Sequence, residues 1–296
     1  TAGIPIQNSA EVVNKGFELT LNWADKINDF HYNIGANLTF VDNEVTKFKG
    51  DEASYSGTTM IKEGYGINTQ YIYIADRIVQ TQADLDYVQS LVDNPKLDEE
   101  GKPINYFKNF KRPELGDVLY KDMNNNGYLD DDDRVARGHG DTPRFLFNFN
   151  LGFEYKGFDF STVLSGTGSY KVQYTHMRSS YLTFGNQISK EVADNCWHEG
   201  MTNAKYPRLM SNGDSRNTRQ STIWETDKSY FKIRNIQLGY TLPQKWLQTL
   251  SLNRVRLFCS LENFFTFTDY AGMDPETNKL TYPTMRQASF GLNVSF

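Results

Sequence analysis

Apolar residues occupy every second position over long stretches of this chain. Between residues 145 and 155, Phe145, Phe147, Phe149, Leu151, Phe153 and Tyr155 share one parity, while Asn148, Asn150 and Gly152 stand on the other. Such alternation predicts a β-strand with one apolar and one polar face. The pattern recurs at residues 17–23, 30–40, 158–164, 255–261 and 290–296. It also marks 231–240, where the parity shifts near Asn235 and predicts an irregular pairing. A weaker candidate lies at 71–79, giving about eight long strands in all. Strands in globular sheets are usually about 5–6 residues long. A tilted strand needs about 9–11 to cross a bilayer.

The connections fall into two classes. Residues 25–29, 156–157 and 242–252 predict short turns, whereas 42–69, 80–142, 168–228 and 267–284 predict long loops. Short turns on one side and long loops on the other are the plan of an outer-membrane barrel. The fold class expected is therefore all-β: an antiparallel transmembrane β-barrel portion with long extracellular loops. Alternating aromatic strands also suit large soluble sheets, and a small complete eight-stranded barrel is a further alternative. One amphipathic helix is expected at 81–91, capped by Thr81, with Leu85, Val88 and Leu91 on one face.

Composition sharpens this picture. The mean hydropathy of -0.60 excludes a bundle of transmembrane helices but not a barrel, whose alternation averages to polar. Aromatic residues reach 14%, with 20 Phe, 18 Tyr and 4 Trp, which favours membrane-facing strands. A net charge of -5 argues against nucleic acid as a partner. Cys196 and Cys259 are too few for a disulfide framework, and the four His have no metal-ligand spacing. No nucleophile elbow, phosphate-binding glycine loop or His-Glu-x-x-His motif occurs, so no catalytic residue is assigned and no enzyme is expected. The chain opens on Thr1, which is expected of a processed or excised piece.

Three segments carry candidate chemistry. In the run from Asp122 to Asp133, oxygen-bearing residues stand at Asp122, Asn124, Asn126, Tyr128 (through its carbonyl), Asp130 and Asp133, with Gly127 at the sharp turn. This spacing fits a twelve-residue calcium loop, although Asp133 replaces the usual Glu and no helices flank it. Calcium is the first choice and magnesium the second, because all donors are oxygen. The alternative is a solvated acidic turn. In the loop at 168–228, Tyr181, Phe184, Trp197, Tyr206 and Trp224 could contact a substrate by stacking on sugar rings, line a partner interface, or pack the loop against itself. At the end of the chain, Phe290, Leu292, Val294 and Phe296 alternate back from a terminal aromatic residue, like the signal by which outer-membrane barrels are assembled.

These segments together resemble a known family. Gly116-Asp117-Val118-Leu119-Tyr120-Lys121-Asp122 through Asp130, then Asp133-Arg134, is similar to a stretch of the SusC/RagA-type TonB-dependent transporters. So are Asn14-Lys15-Gly16-Phe17-Glu18-Leu19, Tyr230 through Tyr240, and Asn263 through Thr268 followed by Asp274-Pro275-Glu276. Asn126 and Met273 depart from the pattern. The resemblance implies that residues 1–296 are roughly the C-terminal third of a barrel of about 22 strands, without its plug domain and first strands. Residues 116–134 would form a calcium-like part of an extracellular loop. It implies import of oligosaccharides or peptides across the cell outer membrane, driven by the TonB complex through the missing N-terminal part. A SusD-like surface lipoprotein would act as a lid, and dimers of transporter–lipoprotein pairs are compatible with it. Outside this resemblance, the residues also suit a secreted calcium-stabilised glycan-binding or adhesin module.

Overall fold

The computed structural model describes residues 10–49, 53–140, 142–168, 170–175, 178, 188–210, 215–248, 252–277 and 284–296. The chain divides into two compact units.

One unit comprises Asn14–Asp42, Thr142–Lys171 and Asp227–Phe296. It is built on a sheet of seven long strands: β1 (Ala10–Ile27), β2 (Phe30–Phe48), β3 (Phe145–Tyr155), β4 (Phe158–Gly168), β5 (Tyr230–Thr241), β6 (Arg254–Thr268) and β7 (Gln287–Ser295). Spatial order follows chain order, and from β2 onward each neighbouring pair is antiparallel. The sheet is a meander with β1 and β7 at opposite ends. A self-contained eight-stranded barrel would pair these two, and no such pairing occurs among the described residues.

The turns follow from local chemistry. Lys156 (φ 47°) and Gly157 (φ 88°) form a two-residue turn of the kind that matches strand twist. A Cβ at Gly157 would lie 2.7 Å from the Thr241 carbonyl oxygen, so the position also needs the space. The parity shift read near Asn235 is present. The β4–β5 register pairs Val163 with Asn235 and Leu164 with Ile233, making Arg234 an extra residue on β5. The strands run longer than the alternation suggested. β2 continues to Phe48 through a polar stretch, and β6 to Thr268 beyond Glu262-Asn263, where the alternation breaks.

The other unit comprises Thr1–Val13, Asn43–Asp141 and Val172–Thr226, most of the sequence read as long loops. The loops fold around a core of their own that includes Tyr73, Val79, Val88, Phe107, Phe110, Leu119 and Leu129. Helix α1 (Gln82–Asp93) begins at Thr81, whose hydroxyl accepts from the Asp84 amide, while the Asp84 carboxylate accepts from the Thr81 amide. Val88 is buried in the core, and Leu85 and Leu91 pack against it. The candidate strand at 71–79 is not a long one. It is two short strands, Thr69–Tyr73 and Ala75–Ile78, in separate sheets. Ile72 and Tyr73 are both buried, so no solvent or lipid face alternates there.

Candidate functional site

The register of the seven-stranded sheet aligns like with like. Ile34, Leu151 and Thr162 form one row, and Tyr32, Phe153, Phe160 and Leu238 form the next. The latter row continues through Cys259 to Phe290. Aromatic stacking runs along these rows: Phe153 and Phe160 lie 5.1 Å apart, and Phe147 and Phe231 6.2 Å. This apolar face is left open: Phe158, Leu238, Leu257 and Leu292 are each about half exposed, and Phe290 is 83% exposed. Water would oppose so large an uncovered patch, whereas lipid favours it. The opposite face is polar. Asn37, Asn148 and Ser165 share a row, as do Asn33, Gly152, Ser161, Gln237, Ser260 and Ser289. On this face Arg256 forms a bidentate pair with Asp159, at 2.8 Å and 2.5 Å, across Gly239. A side chain at Gly239 would displace that pair.

A second cluster on the polar face ties the 269–286 connection to β5. The Glu276 carboxylate accepts from Tyr230 Oη (2.8 Å), Lys232 Nζ (2.6 Å) and both terminal nitrogens of Arg234. Lys232 is 2% exposed and has Asp274 as a second partner at 3.5 Å. Burial pushes the Glu276 carboxyl up, but the hydrogen bonds from Arg234, Lys232 and Tyr230 outweigh it and hold it down to about 2.

In the loop unit, Asp117 is a buried hub. It binds Arg208 in a fork at 2.7 Å and 3.0 Å, Arg216 at 3.1 Å and Asn217 at 3.0 Å. The preceding Gly116 has φ 86°, and a Cβ there would lie 2.4 Å from the Trp197 ring. These contacts join segments about a hundred residues apart in sequence.

The acidic loop takes the turn its spacing implied. Asp122 Oδ2 accepts from the Gly127 amide at 2.8 Å, reaching across the sharp turn. Asn124 and Asn126 each accept from an amide two residues on. Asp130 accepts from Asn126 Nδ2 at 3.0 Å, and Asp133 from the amides of Met123 (2.7 Å) and Asp130 (2.8 Å). Asp122 Oδ1 is buried and has no hydrogen-bond partner. Burial pushes the Asp133 carboxyl up, against the pull of its amide bonds, and the charge of Asp122 adds to the rise. No ion pair with Asp122, Asp130 or Asp133 occurs among the described residues. Nor do three or more Asp, Glu, His or Cys side chains converge tightly enough to hold a metal by themselves. A cation here would therefore need the Asn side chains and the Tyr128 carbonyl as well.

No family model matches the chain. TonB-dependent receptor P3 of Formosa agariphila is 28% identical over 98% of the chain and 29% of its own length. TonB-dependent receptor SusC of Bacteroides thetaiotaomicron is 26% identical over 98% of the chain and 27% of its own length. Over nearly its whole length the chain is thus similar to part of the TonB-dependent receptors, SusC among them. The fold agrees: the structure of the RagAB peptide transporter superposes with a TM-score of 0.68 at 20% identity, covering 98% of this chain and 30% of that one. The chain thus spans about three tenths of the length of these relatives.

In that fold the seven strands are part of an outer-membrane β-barrel wall. The exposed apolar face is the lipid face. The C-terminal residues fit this frame: Phe290, Leu292 and Val294 pair with Cys259, Leu257 and Val255, and Phe296 is 86% exposed. The aromatic candidates divide. Trp224 is 1% exposed, donates Nε1–H to the Asn217 carbonyl and stacks on Tyr206 at 6.0 Å. Its role is packing, not substrate contact, because nothing outside the core can reach it. Trp197 is half-buried against Gly116. Tyr181 and Phe184 lie outside the described residues. Sequence reading did not find the hubs at Asp117 and Glu276. Each sits in a segment that carries the family resemblance, but their partners lie up to 100 residues away.

Proposed function

We propose that this chain forms part of an active importer of the outer membrane that takes up oligosaccharides or peptides, energised by TonB and capped by a SusD-like surface lipoprotein. The observation that carries this reading is the pairing of a continuous lipid face with a hydrophilic face along seven consecutive strands. Such a wall separates lipid from a polar interior, and the interior offers hydrogen-bond partners to a hydrated solute. The large folded loop unit supplies surface for a substrate and a lid. Transport of this kind needs no bond-making residue in the chain. The open apolar face also argues against a secreted adhesin module, which would have to expose it to water. The test is uptake of labelled oligosaccharides and peptides by host cells with and without the complete receptor. Receptor-dependent uptake of one class, abolished when the proton gradient is collapsed, is expected. Uptake unaffected by deletion for both classes would overturn the proposal.

We also propose that the loop at 122–133 holds calcium, with magnesium as the weaker ligand. The buried, unpartnered Asp122 Oδ1 supports it. Asp122, Asn124, Asn126, Asp130, Asp133 and the Tyr128 carbonyl would hold the ion, and its work would be to clamp the loop. Terbium luminescence on the purified complete receptor should report one site, competed by calcium better than by magnesium. The signal should be lost in Asp122→Ala; an equal signal in that variant would refute the assignment.

A further inference from the structure

The connection between β5 and β6 carries features that a barrel wall does not require. It holds a single helical turn, Gln244–Leu247, packed against β6. Leu247 is 2% exposed and Val255 on β6 is 8% exposed, although Leu257, of the same parity, is 49% exposed. These two buried side chains place the helical turn over the outer end of the lipid face. Trp246 beside them is 63% exposed. An aromatic row of the wall lies at the same end: Phe30, Tyr155, Phe158 and Tyr240 are partners in register, with Phe158 and Tyr240 rings 4.5 Å apart. The β3–β4 turn is tied to the end of β5 by the Thr241 amide, which donates to the Gly157 carbonyl at 2.7 Å. Lys156 of that turn lays its Nζ over the Tyr155 ring, 5.2 Å from the centroid, and so reaches toward the apolar side. Lys245 is exposed next to Trp246. The sequence has no acid between residues 242 and 254, although acids outnumber bases 36 to 31 in the chain. Glu154 and Asp159, at the same end of the wall, are register partners with the polar parity. An indole open to water is costly, whereas its apolar ring and N–H suit the boundary between headgroups and acyl chains.

We propose that this connection anchors in the headgroup layer of the periplasmic leaflet and selects anionic phospholipid there. Short turns face the periplasm in barrels of this plan. Trp246 enters the headgroup–acyl boundary, and Lys245 and Lys156 extend their amines to the lipid phosphates. Lipid is the occupant because the helical turn borders the lipid face directly. Anionic lipid is favoured because a zwitterionic headgroup brings its own cation, which repels the two lysines. The inference rests on the assignment of the lipid face and not on import.

The test uses the complete receptor in phosphatidylethanolamine vesicles and records tryptophan emission with and without Trp246→Phe. The difference between the two isolates Trp246. Lipid brominated close to the headgroup should quench this difference signal more than lipid brominated at the chain ends, and aqueous iodide should quench it little. Brominated phosphatidylglycerol should quench more than brominated phosphatidylethanolamine at equal mole fraction. The local enrichment should be roughly fivefold at low salt, the preference of one lysine at an anionic surface, and should fade as salt screens it. Lys156→Gln combined with Lys245→Gln should abolish the excess and leave the depth unchanged. Should Trp246→Phe fail to assemble, a fluorophore on Gln248→Cys, with Cys196 and Cys259 replaced, reads the same depth and preference. Quenching by iodide but not by brominated lipid would overturn the anchor. Equal quenching by the two brominated lipids, or an excess that survives loss of both lysines, would overturn the anionic selection. A fluorophore on Phe149→Cys separates the failures: quenched by chain-end bromine while Trp246 meets iodide, it leaves the wall standing and the anchor refuted; quenched by iodide as well, it refutes the lipid face and the anchor with it.

Discussion

A lysine placed at Phe149 should cost far more than one placed at its neighbour Asn148. The two residues are adjacent on β3 but point to opposite faces. Phe149 aligns with Ala36 and Leu164 on the apolar face, and Asn148 aligns with Asn37 and Ser165 on the polar one. At about 3.4 Å per residue and a tilt near 40°, the eleven residues of β3 span about 28 Å along the membrane normal. That is close to the ~25 Å apolar band of such barrels, and Phe149 falls near its middle. A Lys at the midplane of the lipid face costs about 2–4 kcal/mol, or roughly 30- to 900-fold in the folding equilibrium. Asn148→Lys should cost under about 1 kcal/mol, because its charge reaches water. Urea unfolding of the complete receptor in vesicles, and its level in outer-membrane fractions, would measure both. Equal tolerance of the two lysines, or a larger loss at Asn148, would refute the assignment of faces.

Four further outcomes are expected. Glu276→Gln should leave Lys232 buried with only Asp274 at 3.5 Å, destabilising the attachment of the 269–286 connection by about 3–5 kcal/mol; faster proteolysis there would show it, and Lys232→Met added to it should recover part of the loss. Because the folded Glu276 carboxyl is held near 2 rather than its ordinary 4.5, its contribution is complete above about pH 4.5 and fades as pH falls toward about 2. Resistance to protease should therefore be flat from pH 5 to 8 and drop below about 4, a drop that Glu276→Gln removes. Asp117→Asn removes the charge that holds Arg208 and Arg216 and should destabilise the loop unit by about 3–5 kcal/mol, read as a lower unfolding midpoint; Thr81→Ala, by loss of its cap, should lower it by only about 1 kcal/mol.

Some of this architecture is legible from the residues because its cause is local. Membrane strands must alternate, so Phe145 to Tyr155 declares both strand and faces, and Lys156-Gly157 declares the turn that follows. The extra residue at Arg234 is legible for the same reason, since a bulge shifts parity. The capped helix at Thr81 rests on a pattern four residues long. Legibility ends where the cause is distant. Asp117 meets Arg208 91 positions on, and Lys232 meets Glu276 44 positions on, with nothing nearby to mark either pair. The loop unit was hidden for a related reason. Its strands are short, and Thr69–Tyr73 is buried on both faces, so residues 71–79 read as one alternating strand when they are two. Trp224 shows the same limit: an aromatic residue in a long loop looks available for a ligand until the loop is seen to have a core.

The central claim is that the apolar face of the sheet meets lipid. Single cysteines can be placed in turn at residues 145–155 of the complete receptor, with Cys196 and Cys259 replaced, and spin-labelled in a bilayer. Collision rates with oxygen, which concentrates in lipid, and with a nickel chelate, which stays in water, then report each position. The account predicts a two-residue period: positions 147, 149, 151 and 153 favour oxygen, and positions 148, 150 and 152 favour nickel. Uniform access to nickel, or oxygen preference at 148 and 150, would contradict it.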